Sequence, residues 1–332
     1  GFKPATVSLA LRGDSRIRES TRKHIERIAR EQRYVPNTAG RSLCGAKPKV
    51  FGLLLTSMDE GYYLPLLEQA LQTSESEHHS VSVFFSQWDQ KRETLAFRQL
   101  VENRVAGIVW APISVNAARR KYAIELADSA GVPLVILGTD SSGLVGKAAA
   151  LGIEHDAAVD AGIDYLHRLG HRRIALVAAK EARRNTIQKD RLEFMLAALK
   201  KHGLLLHEED IWILDDDSYG SAAFGKVLCE RSAEERPTAV FCADDMQARA
   251  LILGLELLGL SVPHDISVMG FDGSPICNWA NRQLASVSLQ AGVQGGTAIN
   301  LLFGANGING YEWAETTIIQ PLILEGNTCR KI

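Results

Sequence analysis

Two hydrophobic rhythms divide the chain. Over its first 33 residues apolar positions recur at helical spacing: Val7, Ala10 and Leu11 in one segment, Ile25, Ile28 and Ala29 in the next. Pro4 suits a first helical position, where its missing N–H costs nothing. Gly13-Asp14 closes the first segment. Tyr34-Val35-Pro36 closes the second, because the residue before a proline avoids the α region. From Val50 onward, short apolar runs alternate with longer amphipathic stretches. The pattern predicts strands over 50–56, 80–86, 107–112, 133–138, 149–153, 173–178, 211–214, 239–242, 266–271 and 286–289. It predicts helices over 64–74, 93–103, 157–169, 191–201 and 247–258. Such alternation builds βαβ units and parallel sheets covered on both faces, and ten strands suggest two α/β sheets.

At 332 residues the chain exceeds what one hydrophobic core usually supports. Its 46% hydrophobic and 23% charged content is that of an ordinary soluble globular protein. No apolar run reaches the ~20 residues needed to span a bilayer, so no membrane partner is expected. The five cysteines (Cys44, Cys229, Cys242, Cys277, Cys329) are widely spaced and form no CxxC pair. They indicate neither a zinc site nor a disulfide framework, and a reducing cytoplasm is the expected compartment. Nucleotide loops, nucleophile elbows and HExxH motifs are missing, so neither an enzyme nor a bound cofactor is expected. His78-His79 beside Glu75 and Glu77 could imitate a metal cluster, but they sit in a loop before a strand. The Asp215-Asp216-Asp217 run reads better as the start of a helix than as a cation loop. No metal site is expected.

Charge changes the picture more. Residues 1–49 carry twelve Lys/Arg and four acids, a net of +8; the remaining 25 basic and 35 acidic residues leave the body at −10. A short cationic head suits a polyanion, because neutralising phosphates releases condensed counterions. An acidic body cannot lie flat on DNA. A solvated pair of basic helices would carry the same charge without binding anything.

The head's sequence narrows this. Lys3-Pro4-Ala5-Thr6-Val7-Ser8-Leu9-Ala10-Leu11-Arg12-Gly13 resembles the recognition-helix segment of the LacI/GalR family of bacterial repressors. Ile17 to Arg22, followed by Tyr34-Val35-Pro36-Asn37, resembles that family's third helix and its exit. The resemblance implies a helix-turn-helix domain over 1–36 whose first helix precedes Gly1, with Pro4–Leu11 in the major groove of operator DNA. Lys3, Pro4, Ala5, Thr6, Ser8 and Leu9 would then face bases or the flanking backbone, with Arg12 and Tyr34 also at the DNA. Of the first six, Lys3, Thr6 and Ser8 can hydrogen-bond; Pro4, Ala5 and Leu9 can read only thymine methyls or shape. Leu9 stands where many relatives carry a polar reader, so the operator sequence does not carry over. Residues 37–48 resemble the family's hinge helix, with Asn37 as its N-cap and Arg41 at the DNA. Leu43 matches the leucine wedged into the minor groove. Gly40 lowers helix propensity there by about 1 kcal/mol against alanine. A plain flexible linker is the alternative.

The resemblance covers nearly the whole chain. Leu169-Gly170-His171-Arg172-Arg173-Ile174-Ala175, Pro237 to Ala243 and Val262 to Asp272 resemble core segments of the same family. The implied fold is that of type I periplasmic binding proteins: two Rossmann-like, doubly wound subdomains with a ligand cleft between them. Residues 49–151 with 290–313 would form one, and 152–289 with 314–330 the other.

In open α/β sheets ligands sit off the carboxyl ends of the strands. Asp59, Tyr62 and Tyr63 follow the first strand, Trp88 the second, Asp140 the fourth, and Trp279 lies in the loop after Asp272. By the resemblance, Tyr62 and Tyr63 are an aromatic pair that touches ligand, Arg191 hydrogen-bonds the effector, and Asp244 and Asp272 are further cleft positions. Asp244 departs from a more frequent asparagine. Aromatic faces with carboxylates and an arginine suit a sugar, and a purine would also suit Tyr62 and Arg191. Trp110, on the third strand, reads as core packing.

The expectation is a dimeric, sugar-responsive transcriptional repressor acting on operator DNA in the cytoplasm. A solute receptor would need only the core, and the basic head argues against it. A doubly wound enzyme would need the nucleotide loops that are missing. The tail from Glu325 to Ile332 carries no leucine heptad, so a tetramer built on one is not expected.

Overall fold

The computed structural model describes every residue except 1, 12, 35–47, 59–60, 115, 139–141, 180–185, 215–219, 279–281 and 309, with backbone alone at 179 and 186–190. It divides into two units, Gly1–Pro48 and Lys49–Ile332.

In the first unit, α1 (Pro4–Leu11) packs on α2 (Glu19–Glu31), and Ala10 and Ile25 are the buried contacts. The open faces of α2 carry ion pairs at i,i+4: Lys23–Glu19 at 2.8 Å and Arg27–Glu31 at 2.6 Å. Such pairs contribute a few tenths of a kcal/mol each. The helix ends where Arg33 takes φ 50 and the Tyr34 amide donates to the Ala29 carbonyl at 2.8 Å.

The second unit holds two sheets of six strands each among the described residues. The first is built from β1 (Val50–Leu55), β2 (Ser80–Phe85), β3 (Gly107–Trp110), β4 (Leu134–Leu137), β5 (Ala148–Ile153) and β11 (Thr316–Ile319). Its order is β11-β5-β4-β3-β1-β2, parallel throughout. The second contains β6 (Ile174–Ala179), β7 (Ile211–Leu214), β8 (Ala239–Cys242), β9 (Ser267–Asp272), β10 (Ala285–Ser288) and β12 (Leu322–Leu324). Its order is β12-β10-β9-β8-β6-β7, and only β12 runs antiparallel to its neighbour.

The helices flank these sheets. Those of the first half are α3 (Tyr63–Ser76), α4 (Gln90–Glu102), α5 (Ala117–Ser129) and α10 (Ala291–Ala305); those of the second are α6 (His155–Arg168), α7 (Thr186–Lys201), α8 (Ser221–Glu230) and α9 (Asp245–Leu257). α10 crosses α3 so closely that a Cβ at Gly295 would collide with the Leu66 carbonyl. At Gly162 of α6 a Cβ would lie 2.7 Å from the Phe241 ring. Glycine there lets the helix lie directly on the sheet.

The chain crosses between halves three times: from β5 into α6, from β10 into α10, and between β11 and β12. The last crossing corrects the sequence reading, which put all of 314–330 with the second subdomain. Thr316–Ile319 pairs with β5 in the first sheet, and Leu322–Leu324 joins the second. Only Gln320 and Pro321 separate the two strands, and a proline, lacking an N–H, ends the first ladder. Both strands are short and half-exposed, so neither stood out as an apolar run. No helix among the described residues is long and apolar enough to cross a membrane.

Candidate functional site: a cleft between two sheets and a basic head

The carboxyl ends of both sheets open onto one cleft, with about 670 Å³ of space between them once its solvent-open mouth is included. Thr56, Tyr62, Tyr63, Trp88 and Leu137 line it from the first half. His155, Arg191, Asp272 and Leu289 line it from the second, and Gln294 reaches in from α10.

Arg191 and Asp272 are 5% and 6% exposed, and their ion pair spans 3.2 Å. Nothing but a partner makes two such charges tolerable at that depth. The guanidinium also lies 4.2 Å from the centre of the Phe271 ring, and its second terminal nitrogen donates to the Ala243 carbonyl. Its Nε is buried with no hydrogen-bond partner among the described residues. Asp272 ends β9 at φ 103, a backbone state that costs a non-glycine residue on the order of 1–3 kcal/mol and clusters at functional sites.

Tyr62 and Tyr63 form an edge-to-face pair with ring centres 5.0 Å apart. The Gln294 amide donates to the Tyr62 hydroxyl at 2.8 Å and to the Leu289 carbonyl at 2.6 Å, so α10 fixes the first ring. Burial pushes the Tyr62 hydroxyl far above the usual phenol range, which keeps it neutral. The Thr56 hydroxyl donates to Tyr63 at 3.1 Å. Trp88 stands at φ 61, directly after Gln87 at φ 49. This tight turn brings the indole to the cleft before Asp89 caps α4 by accepting from the Lys91 and Arg92 amides at 2.7 and 2.9 Å.

His155, the first residue of α6, was missed. Its Nδ1 is buried without a partner among the described residues. Burial, and after it the Arg191 charge, hold the imidazole pKa at about 4, so it enters the cleft neutral at ordinary pH. The strand-end rule would have found it, because His155 follows β5 by two residues. The same rule reaches Thr56, which directly follows β1; Gln294, inside α10, carried no comparable signal.

Other expected residues fall elsewhere. Asp244 does not line the cleft; it is buried and caps α9, accepting from the Gln247 amide at 2.7 Å. Its successor Asp245 braces the loop after Asp272. It accepts from the Ser274 amide at 2.7 Å, the Ser274 hydroxyl at 2.9 Å and the Ser286 hydroxyl at 2.6 Å. Burial pushes its pKa up to about 6 against those hydrogen bonds. Trp110 is core: its indole donates to Glu93 at 3.2 Å and meets Phe97 edge-on. His79 stacks on Phe51 with ring centres 4.9 Å apart and leans on the Glu77 carbonyl. Asp59, Asp140, Trp279 and the Asp215–Asp217 run lie outside the described residues.

On the head, Lys3, Pro4, Ala5 and Tyr34 are exposed, while Thr6, Ser8 and Leu9 are half-buried along α1. The start of α1 therefore offers free side chains, as a groove-reading helix must. Arg12, Asn37, Arg41 and Leu43 lie outside the described residues.

Residues 163–329 match the family model of the periplasmic binding protein-like domain. Along 98% of its length the chain is 26% identical to an HTH-type transcriptional repressor PurR of Erwinia tasmaniensis, of which it covers 93%. It is 25% identical to a catabolite control protein A of Staphylococcus epidermidis, over 85% of this chain and 82% of that one. Among solved structures, a LacI family transcriptional regulator from Lactobacillus casei with bound glucose superposes with a TM-score of 0.69 at 23% identity, covering 84% of this chain and 99% of that one.

Proposed function

We infer that this chain, which belongs to the LacI/GalR family of transcriptional regulators, represses transcription by holding operator DNA with its head and releasing it when a sugar enters the core cleft. The observation that carries the effector class is the pairing of two unlike walls. The rings of Tyr62 and Trp88 can stack on the C–H faces of a sugar, and Arg191 with Asp272 can bind its hydroxyls. The Lactobacillus casei regulator of similar fold was solved with glucose. A purine is the second reading, because Tyr62 could stack on its ring and Arg191 could meet its acceptors.

The mechanism follows from linkage. Two copies grip a symmetric operator, Lys3, Thr6 and Ser8 hydrogen-bonding in or beside the major groove and Leu43 wedging into the minor groove. A ligand changes DNA affinity only through its differential affinity for the two arrangements of the halves, typically ~1–3 kcal/mol. The three crossings between the halves are where such a rearrangement would hinge.

The test is thermal unfolding of the full chain against sugars, sugar acids, sugar phosphates, purines and nucleosides. A ligand at ~100-fold its dissociation constant adds about 2.7 kcal/mol, a shift of several degrees. A sugar hit supports the reading, a purine hit favours the second, and no shift across the panel overturns both. For the head, Leu43→Ala should weaken binding to a selected duplex and leave the ligand-induced shift unchanged. Equal duplex binding by the variant would remove the wedge.

A further inference from the structure

Away from the cleft, the carboxyl ends of α6 and α7 lie together. Asp160, Asp164 and His167 follow one another on α6 at i, i+4 and i+7, so they share a face, and His202 directly follows the last residue of α7. One ligand atom each from Asp164, His167 and His202 falls within 4.8 Å of the others. The His202 Nδ1 faces an Asp164 oxygen at 3.9 Å, and the two imidazole rings stand 5.6 Å apart at 56°. The second nitrogen of His202, Nε2, lies 3.1 Å from Asp160 Oδ1. The outward oxygens are already engaged, Asp160 Oδ2 by Lys201 at 2.7 Å and Asp164 Oδ2 by Arg168 at 2.9 Å. What converges between the helix ends is one carboxylate oxygen and two imidazoles.

We propose that Asp164, His167 and His202 bind one divalent cation of the zinc class, with Asp160 orienting His202. Two imidazoles and a carboxylate are the donor set that borderline first-row ions prefer over calcium or magnesium. Metal-bound histidines almost always give their other N–H to a carboxylate, backbone carbonyl or water, which fixes tautomer and ring orientation, and Asp160 holds that position on His202. With metal bonds near 2.05 Å, tetrahedral ligand atoms sit about 3.3 Å apart. The 3.9 Å gap therefore closes by about half an ångström of side-chain rotation, and the other gaps, all within 4.8 Å, by up to about 1.5 Å. Water completes the coordination. A protonated His202 bridging two aspartates would explain the carboxylates but would leave His167 without a role.

The ion would clamp the far ends of the two helices whose other portions carry His155 and Arg191 into the cleft. The experiment is equilibrium dialysis of the metal-stripped full chain against zinc chloride, followed by thermal unfolding with and without zinc. One zinc per chain and a raised melting temperature are expected. His167→Ala and His202→Ala should each lose both. Asp160→Asn should bind ~10–100-fold more weakly. Cobalt(II) supplies a second readout: a visible absorption band of low-symmetry coordination that His167→Ala removes. Zinc retained undiminished by His167→Ala, or no zinc retained by the unsubstituted chain, would overturn the site.

Discussion

On the first half's side of the cleft the described lining includes Thr56, Tyr62, Tyr63, Trp88 and Leu137; on the second half's side it includes His155, Arg191, Asp272 and Leu289. Both walls hang from the same strand order, and only β12 differs in direction from its counterpart β11, so the strand ends at the cleft do not distinguish them. The difference lies in what each wall costs to build. Aromatic rings enter a cleft with little desolvation penalty and present flat faces. A buried cation and anion each carry a penalty of several kcal/mol, offset only by good geometry and further hydrogen bonds. The second half supplies those through Phe271, the Ala243 carbonyl and the Asp245 network beneath the Asp272 loop. Among the described residues, one half contributes surface for stacking, and the other contributes direction.

The strongest way to break this asymmetry is Arg191→Leu. It leaves Asp272 buried without its cation, and breaking a buried pair costs about 3–5 kcal/mol. The melting temperature should fall steeply and effector binding should vanish. Adding Asp272→Leu should recover much of the stability and none of the binding. A single variant that melts with the unsubstituted chain would show that the pair is not coupled in solution.

Next in size are two titrations of opposite sign on the same side of the cleft. His155 has a folded pKa of about 4 against its ordinary 6.5, lowered first by burial and then by Arg191. The unfolded chain takes up this proton first, so His155 costs stability as pH falls from 6.5 to 4. His171, also held at about 4 by burial, acts in the same sense. Asp245 is raised by burial to about 6 from 3.8. Its contribution is complete below pH 3.8 and is lost as pH rises to about 6. Each covers on the order of 3 kcal/mol, so the two histidine slopes together outweigh the opposing aspartate slope. His155→Gln should make the protein relatively more stable at pH 4.5 than at pH 7; Asp245→Asn should do the reverse. Denaturant midpoints across this range measure both, and parallel curves for the two variants would refute the assignment.

Most strands of the two sheets were legible, though not their order, because buried parallel strands read as short apolar runs, as at Val50–Leu55 and Ala239–Cys242. Strands β11 and β12 were not, because they are short, half-exposed and interrupted by Pro321. On the charged wall, Arg191 and Asp272 were reachable from sequence; no local pattern announces that Gln294, 232 residues along the chain from Tyr62, fixes that ring. Asp244 shows the limit of carrying a cleft position over by resemblance. The same position that can face a ligand can cap the following helix, and here the amide of Gln247 holds the carboxylate.

The smallest predicted effect on the fold separates the walls most cleanly. Trp88 holds φ 61, where a side chain costs roughly 1 kcal/mol that glycine does not incur. Trp88→Gly relieves that strain and gives back about as much in chain entropy and lost packing, so the melting temperature should move little. Effector affinity should fall by about 0.5–1.5 kcal/mol, the value of one aromatic face against a ring. On the opposite wall the signs cannot part in this way, because removing Arg191 damages fold and site together. A Trp88→Gly variant that loses several kcal/mol of stability while keeping its affinity would place the indole in the core and leave the stacking wall to the tyrosines.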